Sequence, residues 1–530
     1  MGISEQKKES LTTQSVWILV AKIAGFALNT MLPLLVVRYL TQENVGVYRQ
    51  AFLVAANAVL VLPFGFSMSA YYYLNRDPEK HHAAVLNILA FNFLMGAAAF
   101  LVLFLFPGVL GATFQSEELT RLSPLIGIVI WLWIFSSFLE TAALAQQEAR
   151  LGAVFIVFSQ GIKTLLMIGA VVMFRTVDSI IYAAIAVFAG QSVLLVAYLH
   201  KRFPRFWAHI DLPFFRRQFA YTVPFGLSVM LYVGQTDIHN YFVSHSFSAA
   251  EFAIYSVGCF QLPLITLLYE SVGSVMIPKM SQLQDEDKKG EMLRLTVTAT
   301  QKLAFFYFPL FAFLMVVASE FITTLFTSQY AASAAIFRVN LIALPLFSLV
   351  VDPITRAYPK AAHFLLRVRV GIVIVLLAVF WYGIGRFGLL DMIAIVAASI
   401  VFEKLVAAWI SARMLEVRFS DLHLLKPIGK IAAAASAAAV VLVVVYAAAA
   451  GQMMNLFLAL AERALAFFGL AKGFEFVGGC MFLGLFASIF GTAYLVFAIW
   501  LGAVDPDDKE KFSRLLRRAM PRRSSEPKAA

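Results

Sequence analysis

Charge is scarce in this sequence. Asp, Glu, Lys and Arg make up 14% of its 530 residues and hydrophobic types 61%, against about 25% and 45–50% in a soluble domain. A water-soluble fold of this length cannot hide so much apolar surface, so long uncharged runs make a lipid bilayer the solvent. Cysteine is nearly missing: Cys259 and Cys480 both lie inside apolar runs, which excludes a disulfide framework and a cysteine metal site. The chain also lacks a phosphate-cradling glycine loop, a His/Cys/Asp cluster of metal-binding spacing and an extramembrane segment large enough for soluble catalysis. No metal or cofactor is therefore expected, and the chemistry points to a transporter rather than an enzyme. A net charge of +11 would suit nucleic acid, but no basic patch with interleaved aromatics is present. The basic residues fall mainly in short loops, which makes anionic lipid headgroups the expected partner.

What the chain has in abundance is apolar runs of spanning length. At about 20 residues per span, they lie near 12–37, 45–74, 83–106, 120–145, 151–174, 177–199, 217–243, 252–277, 295–318, 331–351, 368–385, 391–412, 431–450 and 477–501. The expected fold is an all-α polytopic membrane protein with about fourteen transmembrane helices. The first run is too long for a signal-peptide core and has no small-x-small cleavage site, so it is expected to remain as the first span. Threading alternately from an inner N-terminus puts most Lys and Arg on one side. That side takes Lys7 and Lys8, the cluster from Lys201 to Arg217, the stretch from Lys279 to Lys302, and the tail from Lys509 to Lys528. Basic residues resist translocation, so both termini are expected in the cytoplasm. Residues 451–476 carry an apolar face and read as a helix lying in the outer interface. The tail after Pro506 reads as a basic amphipathic helix on the inner leaflet.

The chain is organised around 217–279, which repeats its opening. After the first run comes Thr41-Gln42-Glu43-Asn44-Val45-Gly46-Val47-Tyr48, and after the seventh Ser248-Ala249-Ala250-Glu251-Phe252-Ala253-Ile254-Tyr255. Thr41 falls on Ser248, Gly46 on Ala253 and Tyr48 on Tyr255. A hydroxyl caps the turn, a small residue admits a neighbouring backbone, and a tyrosine is expected at the outer interface. Two similar bundles side by side is how many transporters are built.

Charges inside spans are costly and mark functional or paired positions. Lys22 lies about ten residues, roughly 15 Å, into the first helix, and Lys163 is similarly deep in the fifth. Arg49 and Arg338 enter from the outer side, and Arg38 ends the first helix. Cations in a wet cleft bind phosphate or pyrophosphate, while the alternative for the helix-end arginines is snorkelling to headgroups. Asp237, Glu270, Glu403 and Glu140 are the acids within spans. Each can pair with a base, or can bind and release a coupling H⁺ or Na⁺; Glu140 is expected to reach cytoplasmic water, and Asp237 and Glu403 carry the coupling expectation. Tyr221, Ser228, Tyr232, Gln235 and His239 share one helical stripe, with Asp237 opposite. Such a stripe lines water or a polar ligand, or else bonds neighbouring helices, and phenol rings can stack on sugars. Lone His239 reads best as a hydrogen-bonded packing histidine.

These residues resemble the polysaccharide-transport, Wzx-type flippases of the multidrug/oligosaccharidyl-lipid/polysaccharide (MOP) exporter superfamily. The resemblance rests on Arg38-Tyr39-Leu40 running into the Thr41–Tyr48 segment, on Pro224, Asp237 and Glu251–Tyr255, and on Pro278 before a charged loop, and it covers about 12–412. It implies two six-helix lobes around a central cavity, 1–215 and 216–412, with 413–530 adding a helix pair and a basic tail. It implies alternating access and an undecaprenyl-pyrophosphate-linked oligosaccharide as substrate, moved across a bacterial cytoplasmic membrane for surface polysaccharide synthesis. The expected substrate contacts are Lys22, Arg38, Arg49, Lys163, Arg338, Tyr232 and Gln235; the expected coupling acids are Asp237, Glu270 and Glu403. The added helix pair is shared with lipid II flippases, whose charged opening motif is not seen here. A multidrug exporter, a glycan polymerase or ligase, and a scramblase or scaffold are the other readings.

Overall fold

The structure, a computed structural model, describes residues 11–76, 80–208, 211–467 and 473–503. The basic tail and the first lysines therefore lie outside the described residues, which are nearly all helical with no strand among them. The first half contains α1 (Leu11–Tyr39), α2 (Gln42–Val61), α3 (Ser69–Arg76), α4 (His81–Leu105), α5 (Gly108–Phe114), α6 (Glu117–Ser136), α7 (Phe138–Ala145), α8 (Ala149–Phe174) and α9 (Val177–Arg202). There follow α10 (Leu212–Ser246), α11 (Ala249–Gly258), α12 (Pro263–Asp285), α13 (Lys289–Phe326), α14 (Ser333–Leu341) and α15 (Asp352–Ala357). The chain closes with α16 (Pro359–Gly383), α17 (Leu389–Met414), α18 (Lys426–Phe467) and α19 (Phe474–Trp500).

Among the described residues 11 helices are long and apolar enough to cross a bilayer, or 12 if α11 and α12, bent by 46°, form one broken span. This is a multi-pass membrane protein. The fourteen expected spans are not all matched. α10 is long enough but its polar stripe lowers its hydropathy, and 331–351 is α14 followed by a 3₁₀ turn at Leu344–Ser348. Pro345 supplies no backbone donor and stops the longer helix that the apolar run predicts. Of the interfacial helix expected over 451–476, residues 451–467 are instead the last part of α18 and 468–472 lie outside the described residues. An alanine-rich run carries that helix unbroken through Gly451 for 42 residues to Phe467, and alanine is the strongest helix former.

The helices form two compact units. The first holds residues up to Pro263 with Leu325–Asn340 and His363–Glu403; the second holds Leu264–Thr324, Leu341–Ala362 and Lys404 onward. In the first unit Phe66, Ile88, Phe138 and Leu195 form one core cluster, and Phe252, Tyr255, Phe380 and Ile393 another. In the second, α18 and α19 pack through Leu442, Phe482, Phe486 and Phe490. At the start of α10, Asp211 caps the Phe214 amide and receives Lys80 at 2.6 Å. The Lys80 ammonium beside it holds the Asp211 carboxyl below the usual carboxylate range.

The repeated break folds as the pattern predicts. Thr41 and Ser248 are both helix N-caps, accepting from the amides of Asn44 and Glu251, and Glu251 closes a capping box back onto Ser248. The two capped helices, α2 and α11, pack on each other at Gly46, where any Cβ would meet the Ala249 carbonyl. The tyrosines depart from expectation. Tyr48 and Tyr255 are buried within the protein rather than set at the outer interface, because each ring has an interior partner: Tyr48 lies against Phe52 and the Tyr255 hydroxyl meets His239 Nδ1 at 2.7 Å. Gly46→Val is expected to destabilise the protein by about 1–3 kcal/mol or more through overpacking against backbone. A thermal midpoint in detergent equal to wild type would contradict this packing.

Candidate functional site

The intramembrane charges of the first unit fall into three groups. The first lies on α1, α7 and α8. Lys163 donates to Asn29 Oδ1 at 3.0 Å, and Glu140 stands within electrostatic range of its ammonium. Lys22 is exposed on α1, seven residues before Asn29. Seven residues are close to two turns, so Lys22 and Asn29 share a face about 10 Å apart along the axis. One helix face thus presents one lysine directly and holds a second through an amide. Glu140 offsets part of that positive charge.

The second group ties the α1–α2 corner to the α13–α14 connection. Arg38 donates to the carbonyl of Leu325 at 2.8 Å and to that of Leu34, and Gln42 donates to the Gln329 carbonyl at 2.7 Å. Cations at a helix C-terminus meet the unpaired carbonyls there, so Arg38 is spent on a helix end. Arg49 faces Tyr330 and Cys259, and its Nη2 is buried with no acceptor among the described residues. Arg338 is half-buried on α14.

The third group links α10, α16 and α17. Glu403 accepts from Arg369 through Nε at 3.2 Å and Nη2 at 2.5 Å, and from Gln235 Nε2 at 2.5 Å. Both oxygens of this carboxylate thus receive a donor: Oε1 from the guanidinium and Oε2 from the amide. Two turns of α10 divide the predicted polar stripe. Gln235 and His239 are buried, while Tyr221, Ser228 and Tyr232 are exposed. His239 Nε2 faces the Thr236 carbonyl at 2.8 Å, so its Nδ1 accepts from Tyr255, as a packing histidine would. Asp237 points away toward Asn57, whose amide also donates to the Tyr241 hydroxyl at 3.2 Å. Glu270 lies on α12, exposed, in the second unit.

Arg369, Asn29 and Asn57 escaped sequence reading. The apolar run near 368–385 placed Arg369 at its cytoplasmic edge. The helix starts earlier, at Pro359, a residue pre-organised for the first helical position, and so carries Arg369 about ten residues inward. The asparagines bear no charge, and a search for intramembrane charge passes over them.

Residues 35–335, more than half of the chain, match the model of the family described as "Polysaccharide biosynthesis protein". The chain belongs to the polysaccharide biosynthesis protein family. No curated protein matches its sequence. Among solved structures this family member is similar to "Lipid II flippase MurJ, inward closed conformation", at TM-score 0.63 and 15% identity, covering 92% of this chain and 98% of that one. A MOP superfamily transporter from Pyrococcus furiosus matches at TM-score 0.55 and 14% identity, over 78% of this chain and 97% of that one. An outward-facing multidrug-resistance MATE transporter matches at TM-score 0.53 and 16% identity, over 77% and 96%. The polysaccharide family member thus has the MOP transporter fold, and its cationic α1 face sits within that fold.

Proposed function

We propose that the protein is a flippase that moves undecaprenyl-pyrophosphate-linked oligosaccharide units across a bacterial cytoplasmic membrane for surface polysaccharide synthesis. The single observation that carries this reading is the α1 face where Lys22 and the Asn29-held Lys163 stand together, in a chain of a polysaccharide family. Two ammoniums on one side of a membrane helix attract a polyanion, and a pyrophosphate supplies one. Lys22 and Lys163 hold the head group, Arg49 offers a further donor, and Tyr232, exposed one turn from Gln235, stacks on the sugar. An apolar cavity of about 270 Å³ lined by Leu264, Leu268, Phe306, Leu310 and Phe490 has room for part of an isoprenoid chain. The lobes 1–215 and 216–412 alternate access with both termini cytoplasmic. Asp237, not engaged by a cation among the described residues, is the acid that takes up H⁺ or Na⁺, with Glu270 as a second.

A second reading, a lipid II flippase, is favoured by one observation. The MurJ likeness spans 92% of the chain and the MATE likeness 77%, so the former takes in more of the chain. Mass spectrometry of lipids co-purifying in mild detergent separates the two. An undecaprenyl-pyrophosphate glycan without a peptide is the expected co-purifying lipid; a peptide-bearing disaccharide carrier would establish the second reading. Cationic drugs alone would refute both.

A further inference from the structure

Lys404 has no place in the function proposed above. It lies within α17, 15 residues after Leu389 and ten before Met414, roughly 22 Å and 15 Å from the two helix ends. At that depth an ammonium does not easily snorkel to water. Its Nζ sits 5.4 Å from the centroid of the Tyr269 ring and 5.2 Å from that of Phe347. The Tyr269 hydroxyl donates to Asp352 Oδ2 at 2.8 Å, which fixes the ring in place. All four residues belong to the second unit.

The unusual feature is what the ammonium does not have. Among the described residues no carboxylate lies within ion-pair distance of Lys404 and no oxygen accepts a hydrogen bond from it. Its sequence neighbour Glu403 is committed to Arg369 and Gln235, and Asp352 is drawn to the phenol. Two ring faces offset part of the charge, yet an ammonium has three donors and a π face accepts none of them as an oxygen would. A cation kept inside a span by aromatic faces alone keeps its capacity for an oxyanion.

We propose that Lys404, clamped between the rings of Tyr269 and Phe347, is an oxyanion subsite that reads negative charge on the cargo. The inference rests on the flippase reading. The oxyanion is either a sugar carboxylate of an acidic glycan or a phosphate of the carrier; both meet the ammonium with the same charge-assisted geometry. A cationic cargo is repelled at this point.

The test uses the full-length protein in detergent and calorimetric binding of three probes: trigalacturonate, undecaprenyl phosphate and neutral maltotriose. Lys404→Gln is expected to weaken one anionic probe about tenfold, the loss of one charge-assisted contact, and to leave maltotriose unchanged. Lys404→Arg, which keeps charge and ring contact, is expected to retain binding. Phe347→Leu loosens the clamp without touching the charge, and a several-fold loss is expected there even where Lys404→Gln folds poorly. Loss confined to trigalacturonate assigns the sugar carboxylate; loss confined to undecaprenyl phosphate assigns the carrier. Wild-type affinity for both anions in Lys404→Gln and Phe347→Leu overturns this inference alone. A wild-type protein that binds neither anion overturns the flippase reading with it.

Discussion

Glutamine at both Lys22 and Lys163 is expected to cut transport by roughly two to four orders of magnitude. A hydrogen bond to a charged group contributes about 1.5–3 kcal/mol, and each 1.4 kcal/mol is tenfold. The side chains remain polar and of similar length, so what disappears is charge. One complication is built into the site: Glu140 lies within electrostatic range of Lys163, and removing the cation alone strands a carboxylate inside the bundle. The double variant Glu140→Gln/Lys163→Gln removes both charges and separates folding from function. It is expected to reach wild-type levels in the membrane yet fail to restore surface glycan in a strain lacking the gene. Arginine at both lysine positions is expected to retain part of the activity, since charge persists while the fork geometry differs. Full glycan display by Lys22→Gln/Lys163→Gln, at normal protein level, would remove the central support of the proposed function.

The sequence was informative where one physical constraint acts alone. A span of apolar residues has to be a helix because a bilayer satisfies no backbone group, and α1, α4, α8, α9 and α19 lie where their runs predict. The caps at Thr41 and Ser248 were legible because a hydroxyl before an apolar run has few other uses. Legibility fell where two demands compete. α10 has to span and also carry Gln235, His239 and Asp237 toward different neighbours, and periodicity alone put Gln235 and Tyr232 on one stripe without separating buried from exposed. The pairing of Glu403 with Arg369 depends on where α16 begins, and a helix start is set by local turn chemistry that a hydropathy window blurs. Lys404 stands within the apolar run 391–412, but its clamp comes from α12 and the segment before α15, which no local pattern relates to α17.

Arg369→Met is expected to be among the most destabilising single substitutions in the first unit. Glu403 then keeps Gln235 as its neutral donor and loses the guanidinium that offsets its charge. Breaking a fully buried pair by removing one partner costs about 3–5 kcal/mol. Here the side chains of Arg369 and Glu403 are 32% and 18% exposed, so screening reduces the expected loss to about 2–3 kcal/mol. The sign of the double variant is the sharper test. Arg369→Met/Glu403→Met replaces both charges with apolar chains of similar length and is expected to recover most of the lost stability, since a buried ion pair is seldom better than good packing. Thermal unfolding in detergent reads both effects. The same pair also decides what Glu403 does in transport. If it only holds α10, α16 and α17 together, the double variant transports at near wild-type rate; if it binds the coupling ion, Glu403→Gln stops transport without lowering the thermal midpoint. The geometry favours the first outcome, because the guanidinium already offsets the charge that an ion would neutralise, and an ion competes with it for the same oxygens.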